Sequence, residues 1–170
     1  IESLSDMDYM ICGSSESYFA VKDDGGAIAA NWTSSNTKVA TVNPGTGYVT
    51  AVGYGKCKLK ATYAGKTVSY PISVRFEDVE DESTSYYKAV SWAADNKITT
   101  ETTSFHVEAD CTRGQMVIFL YRLARLLDPN SVNVPDSVEL SFTDVKPGDS
   151  CYKPVVWAYY NQITVDTGTH

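Results

Sequence analysis

The sequence predicts a two-domain α+β protein, with an all-β sandwich over residues 1–75 and a mainly α-helical module over residues 76–170. Three observations predict it. Short alternating stretches divided by Gly/Pro turns fill the chain from Trp32 to Val74. Beyond Arg75 the apolar period lengthens from that of a strand to that of a helix. A block of motifs that opens at Phe76 then returns 65 to 66 residues later, so one supersecondary unit is used twice.

The strands follow in order. Trp32-Thr33-Ser34-Ser35-Asn36 leads to Val39-Ala40-Thr41-Val42, the turn Asn43-Pro44-Gly45-Thr46-Gly47, and Tyr48-Val49-Thr50-Ala51-Val52. After Gly53-Tyr54-Gly55 comes an alternating run in which Cys57, Leu59, Ala61 and Tyr63 share one face, with Lys56, Lys58, Lys60 and Thr62 on the other. Past Ala64-Gly65-Lys66, Val68, Tyr70, Ile72 and Val74 share a face. Pro71 has no N–H for a ladder, which predicts an edge position or an irregularity for this strand. Evenly spaced short strands of this kind indicate a sandwich.

Trp-Thr-Ser-Ser-Asn-x-x-Val-Ala-Thr-Val, then Gly-x-Val-Thr-Ala-Val-Gly-x-Gly and an alternating strand, resembles the bacterial immunoglobulin-like domain of group 2 over about residues 8–75. The resemblance implies an Ig-like spacer or adhesion module of secreted and surface proteins, with no catalytic residues. Asn31-Trp32-Thr33 fits a glycosylation acceptor pattern, a match short enough to arise by chance.

In the second half, Phe76-Glu77-Asp78-Val79 recurs as Phe142-Thr143-Asp144-Val145. Tyr87, Val90, Trp92, Ala93, Asn96, Ile98 and Thr99 recur as Tyr152, Val155, Trp157, Ala158, Asn161, Ile163 and Thr164. Each copy continues into a helix, for which Ser85 and Ser150 are expected N-caps, and Pro154 falls in a first turn, where it is tolerated. Asp78 and Asp144 read as residues that cap or close a turn. Between the copies, Thr112 and Gln115 form a capping box ahead of an apolar run, so a helix starts at Thr112. Met116, Phe119, Leu120, Leu123 and Leu127 form the stripe expected to face a core, with Arg122 and Arg125 pointing away. Arg113 stands on the first turn, where free N–H groups and the helix dipole favour an anion.

Phe-x-Asp-Val, Tyr-x-x-Val-x-Trp-Ala, Ile-Thr, the loop residue Phe105 and Thr-Arg-Gly-Gln, in that order, resemble the S-layer homology domain. One full repeat spans about 76–138 and a partial second one about 142–170. The resemblance implies a cell-wall or cell-surface location in a bacterium. It also implies anchoring of a larger protein through a secondary cell-wall polysaccharide, often one with an acidic pyruvylated sugar. Arg113 would be the anion ligand, Thr112 and Gln115 would shape the corner, and Trp92 and Trp157 would be groove-wall candidates. Capping alone accounts for Thr112 and Gln115, an ion pair with nearby acids would account for Arg113, and core packing would account for both tryptophans. The rival is a structural or protein-interaction module without glycan binding, and an incomplete repeat leaves a face open to self-association. The family's Gly-Ile-Thr-x-Gly becomes Lys97-Ile98-Thr99-Thr100-Glu101 and Gln162-Ile163-Thr164-Val165-Asp166. If those glycines let a sugar approach the backbone, Glu101 and Asp166 would repel an anionic one.

Composition sets further bounds. The chain has 170 residues and a formal net charge of −7. Seven Lys/Arg stand against six Asp/Glu in residues 1–75 and against fifteen in residues 76–170, a poor surface for nucleic acid. The longest apolar run, Met116 to Tyr121, is far short of the roughly 20 residues of a spanning helix. No signal peptide is evident at Ile1, which suggests a mature or excised fragment. Cys12, Cys57, Cys111 and Cys151 form no Cys-x-x-Cys pair, which argues against zinc. They suit one disulfide per half or four reduced thiols equally. Cys111 and Cys151 open corresponding helices and are expected to meet, a bond that would contribute about 2–4 kcal/mol. Cys12 with Cys57 is the second candidate pair. The acids Glu80-Asp81-Glu82 read as a solvated face and no cofactor is expected. His106 and His170 accompany no nucleophile motif, so no enzyme is expected.

Overall fold

The computed structural model describes residues 8–21 and 25–165. In chain order the elements are β1 (Asp8–Ile11), β2 (Ser15–Ser17), β3 (Ala20–Val21), β4 (Ala27–Ile28), β5 (Asn31–Ser34), β6 (Ala40–Val42), β7 (Tyr48–Ala51), β8 (Gly55–Tyr63) and β9 (Lys66–Arg75), then α1 (Tyr87–Asp95), α2 (Arg113–Leu127), a 3₁₀ turn (Pro129–Val132) and α3 (Tyr152–Tyr160). The β-rich N-terminal part and helical C-terminal part agree with the predicted fold class. The chain divides into two compact units, Ile1–Asp95 with Thr100–Val107, and Asn96–Thr99 with Glu108–His170. Asp166 and His170 lie outside the described residues.

The first unit holds a four-stranded sheet ordered β1-β9-β8-β5, a three-stranded sheet ordered β2-β7-β6 and the small pair β3-β4. Alternation decides the core as predicted: Cys57, Leu59 and Ala61 are buried with Tyr70, Ile72 and Val74, while the lysines of β8 are exposed. Tyr63, at the end of β8, is exposed instead of continuing that face. Trp32 fills the centre, its ring 5.7 Å from that of Tyr70 and 6.4 Å from that of Tyr18. Beside it runs the turn 43–47. There Asn43 Oδ1 accepts from the N–H groups of Gly45 (3.0 Å) and Thr46 (3.1 Å). Gly47 has φ +72°, and a Cβ on it would stand 2.2 Å from the Tyr18 carbonyl oxygen, so glycine is required.

Of the two placements expected from Pro71, an edge or an irregularity, β9 shows the second. It lies between β1 and β8. The parallel ladder with β1 covers only Ile72–Arg75, and Pro71 stands just outside it, paired across to Lys58 of β8. The missing N–H is thus accommodated at the end of a ladder rather than at the edge of the sheet.

At the end of β9 the guanidinium of Arg75 lies 4.0 Å from the Tyr9 ring and 5.4 Å from the Tyr87 ring, pairs with Glu82, and donates to the Glu80 carbonyl at 3.0 Å. Glu82 therefore belongs to a cation clamp and not only to a solvated face. Phe76 follows, fully buried, stacked on Tyr54 at 4.5 Å and tilted against Phe105 at 6.0 Å. With Val79, Val90 and Ala94 these rings form a second small core in the first unit.

The second unit packs α2 on α3 around Val117, Val155, Trp157 and Ala158. Here the predicted stripe is corrected. Met116, Leu120 and Leu127 are exposed, and the face turned inward is Val117-Tyr121-Ala124. That set also has helical spacing, because α2 is apolar on most of its circumference. Arg122 does not point away either, since its Nη1 donates to the Ile98 carbonyl at 2.8 Å.

Neither expected serine caps its helix. Tyr86 accepts from Val90 N–H at the start of α1, and Cys151 occupies the N-cap of α3 without a side-chain bond. Pro154 does fall in the first turn of α3. Beyond α3, Gln162 N–H donates to the Tyr159 carbonyl (3.1 Å) and Ile163 N–H to the Ala158 carbonyl (2.8 Å), a Schellman ending. Gln162 has φ 58° and its counterpart Lys97 has φ 61°. The family's first glycine is therefore replaced at a left-handed position, where its use is to end a helix. Gln162→Gly is expected to stabilise the second unit by about 1 kcal/mol, the order of the left-handed cost for a residue with a Cβ. Thermal unfolding of the two proteins side by side checks this.

Candidate functional site

The start of α2 is built as predicted. Thr112 is the N-cap, its Oγ1 accepts from Gln115 N–H at 3.2 Å, and Gln115 Oε1 accepts from Thr112 N–H at 2.8 Å. The Thr112 hydroxyl also donates to Gln115 Oε1 at 2.9 Å, so both side chains are engaged in the box. Met116 N–H reaches the Thr112 carbonyl at 3.0 Å. The first-turn N–H groups of Arg113 and Gly114 donate to no acceptor among the described residues, which leaves two donors at the positive end of the helix dipole.

Arg113 is positioned from across the second unit. Its Nη2 donates to Thr164 Oγ1 at 3.2 Å and to the Val165 carbonyl at 3.1 Å. Arg122, nine residues further along α2, grips the Ile98 carbonyl, so both copies of Ile-Thr are held by arginines of one helix. In Arg113 these bonds occupy one nitrogen of a planar fork with five donors, and Nε and Nη1 keep theirs. The residue lines a cleft of about 240 Å³ with Gly114, Val117, Phe142, Asp144 and Thr164.

Asp144 and Asp78 hold equivalent motif positions and do different things. Asp78 accepts from three successive backbone N–H groups, Phe105 (2.8 Å), His106 (2.6 Å) and Val107 (3.1 Å). Burial pushes its carboxyl up, but the hydrogen bonds from the loop backbone and Ser104 outweigh this and hold it below the usual value. A carboxyl lowered in the folded state contributes stability above its unfolded pKa, lost as pH falls through the folded one. The first unit should therefore lose melting temperature as pH falls below the carboxylate range. In Asp78→Ala this acid-side slope should be smaller, as melting curves over a pH series would show. Asp144 instead lines the Arg113 cleft.

The tryptophans separate. Trp157 is buried in the core of the second unit, donates from Nε1 to the Ser131 carbonyl at 2.9 Å and meets Tyr121 edge-on at 5.7 Å, so it forms no groove wall. Trp92 is exposed on α1 in the first unit and is not part of the cleft lining. All four cysteines are free thiols, the second of the two states their number suits, so neither Cys111 with Cys151 nor Cys12 with Cys57 is paired. Cys12 Sγ donates to the Val52 carbonyl at 3.1 Å, and burial raises both the Cys12 and Cys57 thiols, in keeping with small apolar core residues. Cys151 lines the Arg113 cleft and Cys111 is exposed. Sequence reasoning did not assign Asp144 and Thr164 to this site, although the repeat register had marked both positions.

Residues 16–74 match the family model of the bacterial Ig-like domain (group 2), and residues 75–117 match that of the S-layer homology domain. The chain joins these two domains in that order. The S-layer homology match runs from the residue before Phe76 into α2 and so takes in the capped corner with Arg113. It gives the chain a bacterial cell-surface or cell-wall location. S-layer homology domains in general bind cell-wall polysaccharide. Among solved structures, domains 4 and 5 of the S-layer protein SbsC match 41% of this chain and 48% of that one, at 23% identity and a TM-score of 0.33. The matched part thus spans about half of that structure, and at this score the likeness carries no argument. No curated protein matches the chain. Among the described residues no helix is long and apolar enough to cross a membrane.

Proposed function

We propose that this chain is a non-catalytic anchoring segment in which an Ig-like spacer, residues 1–75, carries an S-layer homology module, residues 76–170. The module attaches a larger protein to the wall by binding an acidic, pyruvylated secondary wall polysaccharide at the Arg113 cleft. The observation that carries this reading is the setting of Arg113. Its Nη2 is fixed by Thr164 and Val165 while the rest of the fork faces a cleft floored by a helix N-terminus. A guanidinium held in this way can take a carboxylate in bidentate fashion, with little side-chain freedom left to lose on binding. Thr112 and Gln115 shape the corner through the cap, and Asp144 offers an acceptor for sugar hydroxyls.

A second reading has its own support. The same Nη2 bonds are also explained if Arg113 only ties α2 to the Ile163-Thr164 segment, and exposed Met116, Leu120 and Leu127 would suit a protein partner or self-association. The two differ in a pull-down of the fragment on pyruvylated wall polymer. Arg113→Ala is expected to weaken capture by about 10- to 100-fold, the worth of a hydrogen bond to a charged group. Failure of the parent fragment to bind would favour the second reading.

A further inference from the structure

In the first unit, β8 turns Cys57, Leu59 and Ala61 into the core and sets Lys56, Lys58 and Lys60 in a row on the outer face of the four-stranded sheet. At a rise of about 3.4 Å per residue, neighbouring lysines of the row stand about 7 Å apart and the row is about 14 Å long. That spacing is inside the Debye length of about 8 Å at physiological salt, so their potentials add. All three are exposed, and among the described residues their ammonium groups make no hydrogen bond or ion pair. β5, β8 and β9 contain no acidic residue, and Glu82 is already paired with Arg75 at the end of β9. Lysines often guard a sheet edge against pairing with another chain. That does not account for these three, because β8 lies inside the sheet, bonded to β5 on one side and β9 on the other. Solubility does not account for them either in a chain whose net charge is −7, which three further cations reduce.

We infer that this face binds a linear phosphodiester polymer laid along β8. The row is a line of positive charge on a rigid central strand, so it fits a line of negative charge. Lysine meets phosphate as a point charge, in contrast to the bidentate fork that Arg113 offers a carboxylate. Beside the row, the hydroxyls of Thr33 and Ser69 stand directly across from Lys60 and can donate to phosphate oxygens. A phosphodiester carries its charges on the chain itself, so successive charges reach successive lysines without the ordering of side chains that polyglutamate would need. Nucleic acid is disfavoured within this class: no aromatic side chain stands directly across from the lysines for bases to stack on, and the net charge repels a duplex. The inference does not depend on the role given to Arg113.

The test is an amide NMR titration of the folded chain with short poly(glycerol phosphate), and separately with polyglutamate and oligothymidylate of matched charge. The glycerol polymer should shift amides of residues 56–62 and 67–73 saturably. Lys56→Gln, Lys58→Gln and Lys60→Gln, which leave the buried face of β8 untouched, should each weaken binding by about three- to fivefold, and the triple variant by about 30- to 100-fold. Arg113→Ala should leave it unchanged. The logarithm of the binding constant should fall against the logarithm of salt concentration with a slope of about −2, roughly 0.7 for each of three phosphates, and each single variant should lose about 0.7 of that slope. The inference is overturned if the glycerol polymer gives no saturable shift on this face, if the folded triple variant binds undiminished, or if polyglutamate or oligothymidylate binds as tightly. Should the triple variant not fold, unchanged affinity in all three single variants or a salt slope near zero overturns it.

Discussion

Phe76→Ala is expected to lower the stability of the first unit by about 3–5 kcal/mol, the range for emptying a buried phenylalanine site. The site has little room to collapse, because the ring is sandwiched by Tyr54 and Phe105, and Tyr54 is itself held by hydrogen bonds to the Ser91 carbonyl (3.3 Å) and Asp95 (3.2 Å). The partners would stay in place and leave a cavity. Phe76→Leu keeps most of the volume and should cost clearly less. Since whole domains are stable by only about 5–15 kcal/mol, the alanine variant should show a large drop in the melting temperature of its unit.

Trp157→Ala should have a similar effect on the second unit, about 3–5 kcal/mol. It removes the ring that packs with Tyr121 and Val117, and it leaves the Ser131 carbonyl without its indole donor. Trp157→Phe keeps an aromatic ring, loses the hydrogen bond, worth about 1 kcal/mol, and part of the volume, and should cost clearly less than the alanine variant. Calorimetry of both alanine variants makes a crossed experiment. Each should shift the transition of its own unit, and a common shift in both would show that the two units unfold as one.

The sandwich was legible in the sequence wherever alternation was strict, as from Cys57 to Ala61, because period two leaves one choice of buried face. β1 to β4 are short and lie before Trp32, in a region without such alternation. Pro71 left two placements open, an edge or an irregularity, and only the pairing with β1, which begins at Ile72, decides between them. The start of α2 was legible to the residue because a capping box is local chemistry. Its buried face was not, since the apolar run from Met116 to Tyr121 supports more than one stripe and only the approach of α3 selects among them. The same limit applies to the site. The sequence could single out Arg113, but Thr164 and Val165, more than fifty residues on, are what orient it. The repeated Ile-Thr motif was visible; the contact it makes across the unit was not.

β1 and β9 run parallel, from Asp8 opposite Ile72 to Ile11 opposite Arg75. The chain therefore enters this pair at one end and leaves it at the other. Tension applied along the chain slides the two strands past each other and loads their bonds together in shear, where a hairpin arrangement would let them peel open singly. Rupture of this pair under such tension requires the whole ladder to give way at once.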